Sequence, residues 1–159
     1  IMSACILLFS CAHAPSNRKA SYMKIPAGAN VPSAGLAMDV SYDAKYDNLI
    51  PGYKILSVAI TNNSIDIMQM DRETDKWLIK DYKGKEHAVV TNLKEKDPKT
   101  YIKLSDKLRR AVQYPVLIQV ADTKVIDLLV KDTVNLDGFR SVKLSSQAMG
   151  KAIEIVAQD

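Results

Sequence analysis

Tyr53-Lys-Ile-Leu-Ser-Val-Ala-Ile-Thr61, closed by Asn62-Asn63-Ser64, is the stretch that decides the fold class. Its β-branched and aromatic residues suit a pleated, half-buried surface, and turn formers bound it on both sides, Pro51-Gly52 before and Asn62-Asn63-Ser64 after. It reads as a core strand. A second apolar run, Ile65 to Met70, follows at once. Asn62-Asn63 is therefore expected to turn a hairpin, because Asn tolerates positive φ.

The same pattern extends outward. Upstream, Leu36, Met38, Val40 and Tyr42 alternate with Ala37, Asp39, Ser41 and Asp43, the period-two signature of a strand with one buried face. Downstream come Trp77 to Asp81, a turn at Gly84, and His87 to Thr91. Val116 to Val120 and Lys124 to Lys131 continue the series. Leu136-Asp137-Gly138-Phe139 signals a second hairpin, joining Thr133–Leu136 to Phe139–Leu144, and Ala152 to Val156 is the last strand. Strands recurring at short spacing predict a mainly β domain, a sandwich or a barrel.

One segment breaks the pattern. Asp97 is a helix cap and Pro98 suits the first helical position. Tyr101, Leu104, Leu108 and Ala111 with Val112 recur at helical spacing, Arg109 and Arg110 fall in the last turn, and Pro115 ends the run. The expectation is one short crossover α-helix over about residues 98–112.

The stretch YKILSVAITNNS also resembles an early strand of immunoglobulin-like bacterial lipoprotein domains, whose V-x-[IV]-x-N pattern is met by Val58, Ile60 and Asn62. That resemblance implies an immunoglobulin-like β-sandwich. The N-terminal Ile1–Ala14, IMSACILLFSCAHA, carries an apolar run ending in Leu8-Phe9-Ser10-Cys11. This order resembles the lipobox of bacterial lipoprotein precursors. It implies a signal peptide over 1–10, lipid (palmitate) attachment at Cys11, and residence in the cell envelope. Ala12 after the cysteine, rather than Asp, implies the outer membrane, with the domain facing the periplasm or the exterior. A competing scheme uses Ala12-His13-Ala14 as an A-x-A cleavage site, but Pro15 would then follow the scissile bond. The apolar run falls short of the ~18 residues that span a bilayer.

Residues 11–34, rich in Ala, Ser, Asn and Gly and punctuated by Pro15, Pro26 and Pro32, are expected to form a flexible tether. Residues 35–159 remain for the β-sandwich. Cys5 and Cys11 are the chain's two cysteines, so the domain is expected to hold no thiol.

Composition narrows function further. With 47% hydrophobic and 25% charged residues, the 159-residue chain suits one globular domain. A net charge of +4 is small and dispersed, and aromatics are few (two Phe, one Trp, seven Tyr) and suggest no base-stacking platform, so nucleic acid is not an expected partner. Catalytic signatures are sparse. G-x-S-x-G is absent, Ser16-x-x-Lys19 lies in the tether, and His87 is the one imidazole beyond Ile1–Ala14. Neither an enzyme nor a cofactor is expected.

Three patterns could bear chemistry. Met68-Gln69-Met70, with His87, offers soft ligands for Cu(I), although methionines at such spacing more often fill a core. Asp71-x-Glu73-x-Asp75 has the alternating carboxylates of a calcium loop but carries Lys76 at the sixth position and Tyr82 at the twelfth, and reads as a solvated hairpin tip. Lys94, Lys96, Lys99, Lys103, Lys107, Arg109 and Arg110 form a basic stripe on and before the helix. Lys99, Lys103, Lys107, Arg109 and Arg110 are its candidate partner-binding patch, for phosphates, anionic lipid or an acidic protein. The expected function is a lipid-anchored, non-catalytic envelope module binding a protein or glycan partner; the alternative is a carrier of a small apolar ligand or lipid between its sheets.

Overall fold

The computed structural model describes residues 17–21, 35–147 and 153–158. Cys11, the expected lipobox and most of the expected tether lie outside the described residues. The strands, in chain order, are β1 (Asn17–Ser21), β2 (Leu36–Asp43), β3 (Tyr53–Asn62), β4 (Met68–Gln69), β5 (Lys76–Lys80) and β6 (Glu86–Ala88). Three short helices follow: α1 (Leu93–Lys96), α2 (Pro98–Lys103) and α3 (Asp106–Ala111). Then come β7 (Leu117–Ile118), β8 (Asp122–Lys131), β9 (Ser141–Ser146) and β10 (Ile153–Gln158).

The fold is mainly β, in three antiparallel sheets. One runs β1-β2-β3-β8, a second β10-β9-β5-β6, and β4 with β7 makes a two-stranded ribbon. Register places the apolar sets in line: Val40 opposes Val58, Val58 opposes Ile126, and Leu56 lies between Tyr42 and Leu128. In the second sheet Trp77 opposes Leu144 and Ile79 opposes Val142. All these side chains are buried and join one hydrophobic cluster fed by both four-stranded sheets.

A second cluster sits on the reverse face of β3 and β8. Successive residues Ile55 and Leu56 are both buried, as are Leu128, Leu129 and Val130. A strand alternates its side chains, so consecutive burial means both faces are covered. Tyr53, Ile55 and Leu129 point to the helix side, where Ile50, Leu93 and Leu104 meet them, flanked by Tyr101, Leu108 and Val112. The amide of Val90 donates to the Leu129 carbonyl at 2.8 Å, tying the segment before α1 to the edge of β8.

The expected single helix is divided. Asp97 closes α1 and caps α2, accepting the Thr100 amide at 3.1 Å. Leu104 is extended (φ −71°, ψ 145°), and the Ser105 hydroxyl starts α3 by accepting the Leu108 amide. Two capping side chains therefore restart the backbone where apolar spacing alone suggested continuity. Tyr101, Leu104, Leu108 and Val112 still share one buried side; Ala111 is exposed.

Other expectations are corrected by pairing. Asn62-Asn63 turns no hairpin, because β4 pairs with β7 and β3 lies between β2 and β8. Thr133–Leu136 forms no strand, and β9 pairs with β5 and β10. Asn17–Ser21, inside the expected tether, is the strand β1 on the edge of β2. Backbone pairing along an open edge requires no apolar periodicity in the added segment.

Asn62 acts as a buried plug. Its Nδ2 donates to the carbonyls of Asp66 (2.9 Å) and Ile118 (3.1 Å), and its Oδ1 accepts the Ser64 amide (3.0 Å) and hydroxyl (2.6 Å). Gly35 sits beside it at φ +100°, its carbonyl accepting the Asn63 amide at 2.6 Å. A Cβ there would lie 2.7 Å from the Ser64 nitrogen. Among the described residues, no helix is long and apolar enough to cross a membrane.

Candidate binding clefts beside the helices

Two adjoining clefts open on the helix side, and both are lined by Arg72, Thr91 and Asn92. The smaller, about 300 Å³, has Arg72, Lys94, Arg109 and Arg110 in its wall together with Asn92 and Gln113. The larger, about 510 Å³, is lined by Tyr53, Lys131, Lys96, Glu73 and Glu95 among others.

Local sequence sets each side chain. Arg72 rides on the turn before β5, where Asp71 Oδ1 accepts the Glu73 amide at 2.9 Å and the Thr91 hydroxyl donates to the Arg72 carbonyl at 3.3 Å. Lys94 belongs to α1, which Asn92 caps by accepting the Glu95 amide at 3.3 Å. Arg109 is braced: Nη2 donates to the Ile102 carbonyl at 2.7 Å, Nη1 is 3.5 Å from Asp106, and the guanidinium lies 5.6 Å from the centre of the Tyr101 ring. That geometry clips α3 to the end of α2. The side chains of Arg110 and Lys94 make no hydrogen bond or ion pair among the described residues.

The larger cleft holds a polar chain. Lys131 Nζ donates to the Tyr53 hydroxyl at 2.9 Å and lies 4.2 Å from the ring centre. The Tyr53 hydroxyl donates to Asp97 Oδ2 at 3.3 Å, and the Thr100 hydroxyl donates to the same oxygen at 2.8 Å. The Thr100 amide first, and then its hydroxyl, hold the Asp97 carboxyl below its ordinary range. The hydrogen bond to Tyr53 raises Lys131 above the usual lysine value. Both shifts favour the charged forms, Lys131 as a cation and Asp97 as an anion.

A buried polar network backs the smaller cleft. Tyr114, part of its wall, accepts from Trp77 Nε1 at 2.7 Å and donates to Asp75 Oδ2 at 2.8 Å. Asp75 also accepts the Asp71 amide at 3.0 Å and the Ser146 hydroxyl. Burial, above all, pushes the Tyr114 phenol well above its ordinary value. Asp75 was expected at a solvated hairpin tip and is instead buried. The signal was present: Asp75 is in phase with Trp77 and Ile79, which both face inward.

The structure divides the expected basic patch. Arg109 and Arg110 line the smaller cleft, whereas Lys99, Lys103 and Lys107 are exposed and line neither cleft. Arg72 joins the cations from a turn distant in sequence, which no local pattern could reveal. Met68 and Met70 are buried in the main hydrophobic cluster. His87 stands on β6, its Nε2 2.8 Å from Asp81 Oδ2. Among the described residues, no three His, Cys, Asp or Glu side chains are grouped to hold a metal ion. Compared with known proteins, the chain matches no family model, no curated protein and no solved structure.

Proposed function

We propose that this chain is a lipid-anchored, non-catalytic interaction or assembly module of the bacterial cell envelope, an immunoglobulin-like sandwich held by Cys11 that binds a protein or glycan partner on its helix side. The observation that carries the contact surface is the pair of adjoining clefts with cations from four segments: Arg72, Lys94, Arg109 with Arg110, and Lys131. The sandwich reading is supported by the main cluster, which draws side chains from both four-stranded sheets. The anchor is supported by the lipobox-like Leu8-Phe9-Ser10-Cys11. An outer-membrane position rests on Ala12 alone.

A carrier of apolar ligands has less support. Both clefts have charged walls and lie on the helix side, while Tyr42, Phe139 and Met38 occupy the cluster between the sheets. Photo-cross-linkers placed at Arg110 and Lys94 in intact cells test the reading. The expected result is a defined adduct from these positions and none from Lys143 on β9; adducts arising only from β9 would refute the helix-side contact. Radiolabelled palmitate is expected to enter the wild-type chain and not a Cys11→Ser variant.

A further inference from the structure

We infer that the smaller cleft is a site for a phosphoryl group carried on a polyol, with Lys94 and Arg110 as its principal contacts. The inference rests on the helix-side reading only for the choice of surface. Its basis is the charge of the wall: Arg72, Lys94, Arg109 and Arg110 converge on about 300 Å³, and no carboxylate lines that cleft. Like charges gathered on one concave wall repel one another, and an anion between them turns that repulsion into attraction.

The neutralising partners within the chain are weak. Arg72 pairs with its neighbour Glu73 at 3.2 Å, but both side chains are more than half exposed, at 57% and 62%. Asp106, beside Arg109, is 84% exposed. Water and salt screen pairs of this kind. Glu73 and Glu95 stand on the adjoining cleft, and the Glu95 carboxylate accepts from Asn92 Nδ2 at 3.0 Å.

The shape of the donor set favours phosphate over a single carboxylate. Guanidinium forks grip two oxygens at once, and four cations exceed what one monoanion needs. Gln113 adds a neutral amide suited to the hydroxyls of a polyol. The volume is at the lower end for small-molecule sites, matching a compact head rather than a long chain. Lys107, on the same helix as Arg110 but outside the cleft wall, serves as an internal control.

The test uses the full chain carrying Cys11→Ser, so that no acyl group can hold it to lipid. Glycerol phosphate, glycerol, and phosphatidylglycerol or phosphatidylcholine vesicles are the probes, followed by amide NMR and by sedimentation. Glycerol phosphate is expected to shift resonances around Arg72, Lys94 and Arg110 saturably, with a roughly millimolar Kd for so small a ligand, and glycerol is not. Combined Lys94→Glu and Arg110→Glu is expected to weaken binding about tenfold or more, with Lys107→Glu changing it less than about twofold. Circular dichroism checks that these surface variants fold.

Retention on phosphatidylglycerol vesicles that the double variant loses supports the inference and makes the source a lipid headgroup. Binding of the soluble phosphate alone supports it with a non-lipid source. No saturable binding of either phosphate probe overturns it, and so does equal weakening by Lys107→Glu. Cross-links from the helix side, without binding of either phosphate probe, remove this inference and leave the contact reading. Cross-links from other surfaces, with phosphate binding intact, do the reverse.

Discussion

The indole N–H of Trp77 donates to the phenolic oxygen of Tyr114 at 2.7 Å, and that phenol donates onward to Asp75 at 2.8 Å. A strand of the second sheet, the turn before it and the segment after α3 are joined through this one hydroxyl. Tyr114→Phe keeps the ring and strips Trp77 Nε1 of its acceptor while removing a donor from a buried carboxylate. The expected loss is about 1–3 kcal/mol, read from the shift of the urea midpoint at unchanged slope. An unchanged midpoint would mean that water replaces the hydroxyl.

Asn62→Ala removes four hydrogen bonds from a fully buried position and leaves the Ile118 carbonyl without its side-chain donor. We expect a cost of about 2–3 kcal/mol and a fall in Tm of roughly 5–10 °C for a domain of this size. Calorimetry gives the answer. Loss confined to the β4–β7 ribbon would appear as faster amide exchange at Met68 and Ile118 than at Val58.

Gly35→Ala tests the adjoining contact. Its φ of +100° is strained for any residue with a Cβ, and the added atom would lie 2.7 Å from backbone. The expected destabilisation is about 1–3 kcal/mol, whereas Gly52→Ala, with no atom within 4 Å of the added Cβ, should cost less. Equal Tm values for the two variants would contradict the close approach at Asn63 and Ser64.

His87 and Asp81 predict a pH dependence. The hydrogen bond from His87, and then the amides of Lys85 and Lys83, depress the folded pKa of Asp81. A depressed carboxylate contributes stability above its unfolded pKa near 4, and that contribution is lost as pH falls through the lower folded value. Urea midpoints should therefore decline below about pH 4, and less steeply in His87→Gln. An identical acid limb in the variant would assign the shift to the backbone amides alone.

Much of the architecture could be read in advance wherever period two was clean. Leu36 to Asp43 formed β2 as read, and Tyr53–Thr61 and Lys124–Lys131 fell inside β3 and β8. Failures came where distant partners decide. Leu128-Leu129-Val130 shows no alternation because helices cover one face and the sheets' common cluster the other. Met68–Gln69 chose β7 over β3 because Asn62, rather than turning, reaches into the protein and holds the loop open. The site was half legible. Arg109 and Arg110 stood out by charge, but their convergence with Arg72 and Lys94 depends on how the turn before β5 meets α1 and α3.

The placement of β3 between β2 and β8 also governs how the chain assembles. One flank of the central strand comes from just upstream, the other from beyond all three helices. Such distant pairing pays its loop-closure entropy early and favours slow formation, on the order of milliseconds to seconds. Until Asp122–Lys131 has been delivered, every second residue of β3 has its backbone N–H and C=O unpaired along that side. A nascent chain halted before β8 would therefore present an open, apolar ribbon, a natural substrate for holdase chaperones.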